Sequence, residues 1–128
     1  MTAARILIVE DNEKNLKLLR DLLQFHGYQT LEARTGPEGI ARAREAMPDL
    51  ILLDIELPEM DGVAVLRVLR GDSATSGIPV IAVTASAMRA DRERLLGAGF
   101  DRFVIKPINI REFPSVVASC LRQNTPGT

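Results

Sequence analysis

The stretch DLILLDIELPEMDG, residues 49–62, holds an uninterrupted apolar run, Leu50 to Leu53, that stops on a carboxylate, Asp54. A short apolar run without alternation is what a strand covered on both faces looks like. A desolvated, unpaired carboxylate is costly or shifts its pKa to escape ionisation, so Asp54 adds nothing to stability at that position and asks for a chemical reason. Two other runs share the pattern, Arg5 to Val9 (RILIV) and Val80 to Val83 (VIAV). Tyr28 to Ala33 and Arg102 to Ile105 (RFVI) are more mixed, as expected of strands nearer the sheet edges.

Helical spacing fills the intervals between these five strands. Leu16, Leu19 and Leu23 form one apolar face, with His26 placed at the helix end as a dipole partner and Gly27 as the C′ residue. Thr35 and Glu38 have capping-box spacing, Pro37 sits in a first turn, and Ile40, Ala43 and Met47 continue the face. Val65, Leu66 and Leu69 make a third helix between Asp61-Gly62 and Gly71, and Met88 to Ala98 a fourth, ended by Gly99. Asn109 with Glu112 opens a fifth, with Ile110, Phe113, Val117, Cys120 and Leu121 on one stripe. Pro114 conflicts with an unbroken helix from Ile110, so that helix either starts near Phe113-Pro114 or kinks there.

Strict alternation of strand and helix forces parallel pairing through right-handed crossovers. The expected fold is α/β: a doubly wound five-stranded parallel sheet, order 2-1-3-4-5, flavodoxin-like, with a crevice between strands 1 and 3 at their carboxyl ends. At 128 residues the chain reads as a single domain, core about 5–122, with residues 123–128 as a frayed tail. Hydrophobic content of 46% and a net charge of −1 argue against a nucleic-acid or membrane partner recruited by bulk charge. One cysteine, Cys120, excludes an internal disulfide, and reads as a small buried hydrophobe. With neither a secretory leader nor a membrane span in view, the expected location is cytoplasmic.

That topology gathers Glu10, Asp11 and Asp54 at one crevice. Each acid alone is accounted for equally well as a cap at a strand-to-helix turn, but three converging acids need a cation. Two unit charges about 5 Å apart repel by roughly 3 kcal/mol at an effective dielectric near 20. Oxygen ligands without His or Cys, and room for further ligands, favour magnesium. Thr84 and Lys106 close strands 4 and 5 at the same end and offer a hydroxyl and an ammonium. Lys106 is one of only three lysines among 16 cationic residues, so general lysine usage does not explain it. Acids, a dication, a hydroxyl and a lysine make a place to handle phosphoryl groups, with Asp54 as the nucleophile.

In their order along the chain, Glu10-Asp11, Asp54, LPEMDG (57–62), Thr84-Ala85 and Lys106-Pro107 resemble the signatures of a response-regulator receiver domain, the phosphorylatable module of two-component signalling. The opening VEDNEKNLKLL and TASAM resemble stand-alone receivers of the DivK type. The resemblance implies that Asp54 accepts phosphate from a histidine kinase or histidine phosphotransferase. It implies magnesium held by Asp11 and Asp54 directly, by Glu10 through water, and by the main-chain carbonyl of Glu56. Lys106 would pair with Asp54, Thr84 would swing inward onto the phosphate, and the Lys106-Pro107 bond would be cis. Glu56 and Ser86 would influence the phosphate lifetime. Phe103 stands where the family places an aromatic switch residue; edge-strand packing explains it equally well. A downstream protein target would meet the face of helix 4, strand 5 and helix 5, and no fused DNA-binding effector is expected.

Arg89, Arg92 and Arg94 read as a solvated helix face before they read as a binding patch. Two rival functions remain: a magnesium-dependent small-molecule phosphatase or phosphotransferase using an aspartyl phosphate, and a receiver-like interaction module that works without phosphate. The first wants a substrate-sized pocket and usually a cap insertion, and no loop is long enough to supply either; the second has no use for the intact acid, threonine and lysine set. The expected protein is therefore no enzyme beyond its own phosphoryl transfer and dephosphorylation.

Overall fold

The computed structural model describes residues 3–86 and 88–123, so the expected tail lies outside it apart from Gln123, which ends the last helix. The described elements alternate strictly: β1 (Arg5–Val9), α1 (Glu13–Phe25), β2 (Gln29–Ala33), α2 (Gly36–Ala46), β3 (Leu50–Asp54), α3 (Gly62–Gly71), β4 (Val80–Thr84), α4 (Arg89–Ala98), β5 (Arg102–Ile105) and α5 (Phe113–Gln123). The strands form one sheet in the order β2-β1-β3-β4-β5, with every pairing parallel. The register sets Val9 beside Leu53, Asp54 beside Val83 and Thr84 beside Ile105, so the strands end in line.

Two-sided burial explains the apolar runs. Leu7, Val9, Ile51, Leu53, Val80 and Ala82 pack on one face with α2, α3 and Leu95 of α4. Ile6, Ile8, Leu50, Leu52, Ile81 and Val83 pack on the other with Leu16, Leu19 and Leu23 of α1 and Phe113, Val117 and Cys120 of α5. Fully burying one such aliphatic side chain contributes about 1.5–3 kcal/mol, which is why the central strands tolerate no polar residue before their ends.

Helix ends follow the local chemistry. Asn12 Oδ1 accepts from the N–H groups of Lys14 and Asn15 at 3.0 and 3.1 Å, and α1 stops at His26 and a left-handed Gly27 (φ +89°). Thr35 Oγ1 accepts from Glu38 N–H at 3.2 Å, and Asp61 Oδ1 from Ala64 N–H at 2.9 Å. Two expectations are corrected. Met47 does not extend the apolar face of α2: it is the left-handed C-cap (φ 48°), which turns it away from the core and leaves it 48% exposed. Ile110 does not join the stripe of α5, because Asn109 Oδ1 caps a turn at Arg111 and Glu112 and the helix begins at Phe113. Pro114 then falls in the first turn, where its missing N–H has no intrahelical partner to lose. Ile110 is left 58% exposed.

One arginine ties several of these pieces together. The Arg70 guanidinium donates to the carbonyls of Ser76, Ile78 and Gly99 and to Asp101 Oδ2 at 3.0, 2.6, 3.2 and 3.0 Å, and Asp101 Oδ2 also accepts from Val80 N–H at 2.8 Å. The end of α3, the start of β4 and the start of β5 thus share one planar fork, which a lysine cannot reproduce. Arg70→Ala is expected to lower stability by about 2 kcal/mol in urea denaturation through loss of these charge-assisted bonds, with Arg70→Lys recovering less than half of it.

Candidate functional site

The aligned strand ends deliver the expected residues to one place. Glu10 follows β1, its N–H held by the Ala33 carbonyl at 3.0 Å, and is 1% exposed; Asp54 ends β3 and is 2% exposed; Asp11 is exposed. One carboxylate oxygen from each of Glu10, Asp11 and Asp54 lies within 4.8 Å of the others. Lys106 Nζ donates to Asp54 Oδ2 at 3.0 Å and to Glu10 Oε1 at 3.3 Å. Asp54 Oδ1 accepts from the N–H of Glu56 at 2.8 Å. A carboxylate has about four acceptor positions, so both Asp54 oxygens keep a lone pair free.

The same contacts divide the charge. Burial would raise the Asp54 pKa, but the neighbouring Glu10 carboxyl and the hydrogen bonds from Glu56 N–H and Lys106 outweigh it and hold Asp54 below the ordinary aspartate value. Burial pushes Glu10 up to about 7, and the neighbouring Asp54 adds to the rise against the pull of Lys106. Burial would lower the Lys106 pKa, but its bonds to Asp54 and Glu10 and their charges raise it. Asp54 therefore carries the full negative charge while Glu10 takes up the proton.

The donor set fits a hard dication. Glu10 Oε2 is buried with no hydrogen-bond partner, a debt that an ion or its bound water settles. The three carboxylates supply oxygen ligands only, as magnesium requires.

Around the acids, Thr84 is 4% exposed, and its Oγ1 accepts from Ser86 N–H at 3.1 Å. Ser86 Oγ donates to Asp91 Oδ2 at 2.5 Å, and Ala85 N–H donates to Glu56 Oε1 at 3.1 Å. Lys106-Pro107 is cis. Phe103 is not part of the cluster. It sits half-buried against the core and, with Val104 and Phe113, lines a groove of about 200 Å³ between β5 and the start of α5. Gly62, the last residue of the LPEMDG stretch, is required where α3 leaves the site, since a Cβ there would meet Ile55 Cα at 2.8 Å and the Asp54 carbonyl at 2.9 Å. One contributor was not visible in the sequence. Asp91 gave no signal, because an acid in a first helical turn is ordinary dipole complementation.

Fold and site together define a class: a doubly wound α/β unit whose switch point carries three acids, a threonine and a lysine. The chain belongs to the response regulator receiver domain family, whose model matches residues 6–118. Over 116 residues it is 47% identical to the polar-differentiation response regulator DivK of Brucella ovis, covering 91% of this chain and 94% of that protein, and it matches DivK of Brucella melitensis equally. A CheY-like response regulator receiver domain protein from Methanospirillum hungatei JF-1 superposes with a TM-score of 0.87 at 32% identity, covering 96% of this chain and 97% of that one. The receiver domain of a sensor histidine kinase from Pseudomonas aeruginosa, whose structure has a magnesium ion coordinated in the active-site cleft, gives a TM-score of 0.87 at 30% identity over 94% of this chain and 99% of that one.

The Glu10 proton has a measurable consequence. The folded chain holds it up to about pH 7, whereas an unfolded glutamate releases it near 4.5. Between those values the folded state binds more protons, so stability falls as pH rises through the window and levels off above it. Asp54, held below its ordinary 3.8, acts in a separate window, its contribution being lost only as pH falls below that value. Urea denaturation between about pH 5 and pH 8 without divalent ions should show this decline in the wild type and a flatter profile in Glu10→Gln.

Proposed function

We propose that Asp54 is the acceptor of a phosphoryl group donated by the phosphohistidine of a histidine kinase or phosphotransferase protein, and that its modification changes the affinity of the chain for a downstream protein. The observation that carries this reading is the pairing of a 2%-exposed Asp54 with Lys106 at 3.0 Å inside a cluster of acids. An Asp54 oxygen attacks phosphorus, an O–P bond forms as the N–P bond of the donor breaks, and the leaving imidazole takes up a proton. Lys106 neutralises the phosphoryl oxygens and keeps the acceptor ionised; Glu56 N–H fixes the carboxylate in place. Magnesium, held by Asp11, Asp54 and the Glu56 carbonyl, with Glu10 behind its water shell, would supply charge neutralisation that one lysine cannot.

The switch follows from the charge added. Phosphorylation brings about 1.5 to 2 negative charges and three strong acceptors to a fixed point. Thr84 can donate its O–H to one of those acceptors while still accepting from Ser86 N–H, since a hydroxyl does both. Moving a two-state equilibrium from 1:99 to 99:1 takes about 5.5 kcal/mol, which a few charge-assisted bonds supply. We place the output on α4, β5 and α5. Leu95 is the single buried residue of α4, against three in α1 and four in α3, so α4 is the helix least fixed to the sheet. Glu56, whose N–H reaches Asp54, and Ser86, whose N–H reaches Thr84, are assigned to the lifetime of the modified group, and Phe103 to shape at the output groove.

No helix among the described residues is long and apolar enough to cross a membrane. A cytoplasmic location suits a phosphohistidine donor. The small-molecule phosphatase reading finds no support in the loops at the strand ends, the longest of which, 55–61 and 106–112, leave no room for a cap.

Acetyl phosphate with magnesium is expected to add one phosphoryl group by intact-mass measurement, and Asp54→Asn to abolish it; an equal mass gain in that variant rejects Asp54 as nucleophile. Thr84→Ala should still gain the mass but lose most of the spectral change at α4 that accompanies it, as followed by amide NMR. An undiminished change would remove the hydroxyl from the switch.

A further inference from the structure

The loop that follows Thr84 is held by carboxylates from two sides. Ala85 N–H donates to Glu56 Oε1, from the β3-α3 loop, and Ser86 Oγ donates to Asp91 Oδ2, from the first turn of α4. Glu56 is anchored at its other end, because its own N–H donates to Asp54 Oδ1 at 2.8 Å. One residue thus touches the acceptor carboxylate through its backbone and the Thr84 loop through its side chain. Glu56 and Ala85 are both exposed, so water could serve either group and their bond can be exchanged at little cost.

We propose that the Glu56 carboxylate is an internal competitor for the phosphoryl group: it occupies Ala85 N–H in the unmodified chain and must release it before the Thr84 loop closes on Asp54. The inference rests on the reading of Asp54 as phospho-acceptor. Ala85 N–H is the backbone donor directly after the hydroxyl that would grip the phosphoryl group, and in the unmodified chain it is already satisfied by an anion. A phosphoryl group on Asp54 places a second, more highly charged anion two residues from Glu56 along the chain. Repulsion between the two acts to drive the Glu56 side chain out, and the phosphoryl oxygens offer the freed N–H a charge-assisted bond. Ser86 N–H and Thr84 Oγ1 move together, and the bond from Ser86 to Asp91 hands that movement to the start of α4. The resting position of the loop is therefore set by Glu56, and the transmission of its movement by Asp91.

The test compares wild type, Glu56→Ala, Glu56→Gln and Asp54→Asn, 15N-labelled, at saturating magnesium, with beryllofluoride as the phosphoryl probe. Without the probe, the Ala85 amide proton should move upfield in Glu56→Ala and by a smaller amount in Glu56→Gln, which keeps an acceptor carbonyl but no charge. With it, Glu56→Ala should bind about tenfold more tightly than wild type, chiefly because the carboxylate that repels the bound anion is gone and only secondarily because Ala85 N–H is already free, and Glu56→Gln, which also loses the charge but keeps an acceptor on Ala85 N–H, by less. An unmoved Ala85 amide overturns the competitor. So does an unchanged affinity in Glu56→Ala when wild type binds and Asp54→Asn does not, and that result leaves the phospho-acceptor reading intact. If neither wild type nor Glu56→Ala binds the probe, that reading fails and the competitor falls with it.

Discussion

Everything in this molecule turns on the repulsion between carboxylates that the sheet brings within 4.8 Å of one another, opposed by a single ammonium. Lys106 alone cannot balance Glu10, Asp11 and Asp54, and the chain resolves the excess unevenly. Asp54 stays ionised because Lys106 and the Glu56 N–H both reach it, while Glu10, buried and facing that charge, takes up a proton near neutral pH. The result is a centre with one well-defined anion and a deficit of positive charge around it. Such a centre attracts a dication and, with it, a group rich in negative oxygens.

The deficit is maintained by packing that has nothing to do with charge. β1 and β3 are buried on both faces in two apolar clusters, and their parallel pairing sets Val9 beside Leu53, one residue before Glu10 and Asp54. Glu10 and Asp54 consequently cannot drift apart to relieve their repulsion. Gly62 closes the remaining escape: α3 approaches the exit of β3 so closely that the backbone after Asp54 has no freedom to back away. The hydrophobic effect here stores an unfavourable electrostatic arrangement in a fold that is stable for other reasons.

Most of this was legible from residue type and spacing. The unalternating runs at Ile6, Leu50 and Val80 dictated a covered parallel sheet, and the sheet order dictated that acids distant in the chain would meet. Capping residues such as Asn12, Thr35 and Asp61 were equally readable when their side chains act within four residues. What escaped depends on contacts between segments that share no sequence pattern. Met47 and Ile110 obeyed helical periodicity, yet a left-handed cap and an asparagine-capped turn removed each from its stripe. The Arg70 fork, the bond from Glu56 to Ala85 and that from Ser86 to Asp91 join loops whose meeting only the three-dimensional arrangement reveals.

The distribution of stiffness then decides where a change at Asp54 can be felt. Inward of the site lie side chains with almost no exposure, and a close-packed interior does not yield continuously to a small push. Outward lie the Ala85-Ser86 segment, held by replaceable polar bonds, and α4, held by Leu95. Regions with few buried apolar contacts and exposed hydrogen bonds are the ones that open at low cost. If Asp54 is the acceptor, as proposed, a charge placed on it is resisted by the sheet and taken up by the Ala85-Ser86 segment, so direction in such a switch comes from the contrast between a rigid acceptor and a compliant neighbour. On that proposed reading, deepening the anchorage of α4 would leave the acceptor chemistry untouched and still silence the output, because the stored repulsion would have no soft element on which to act.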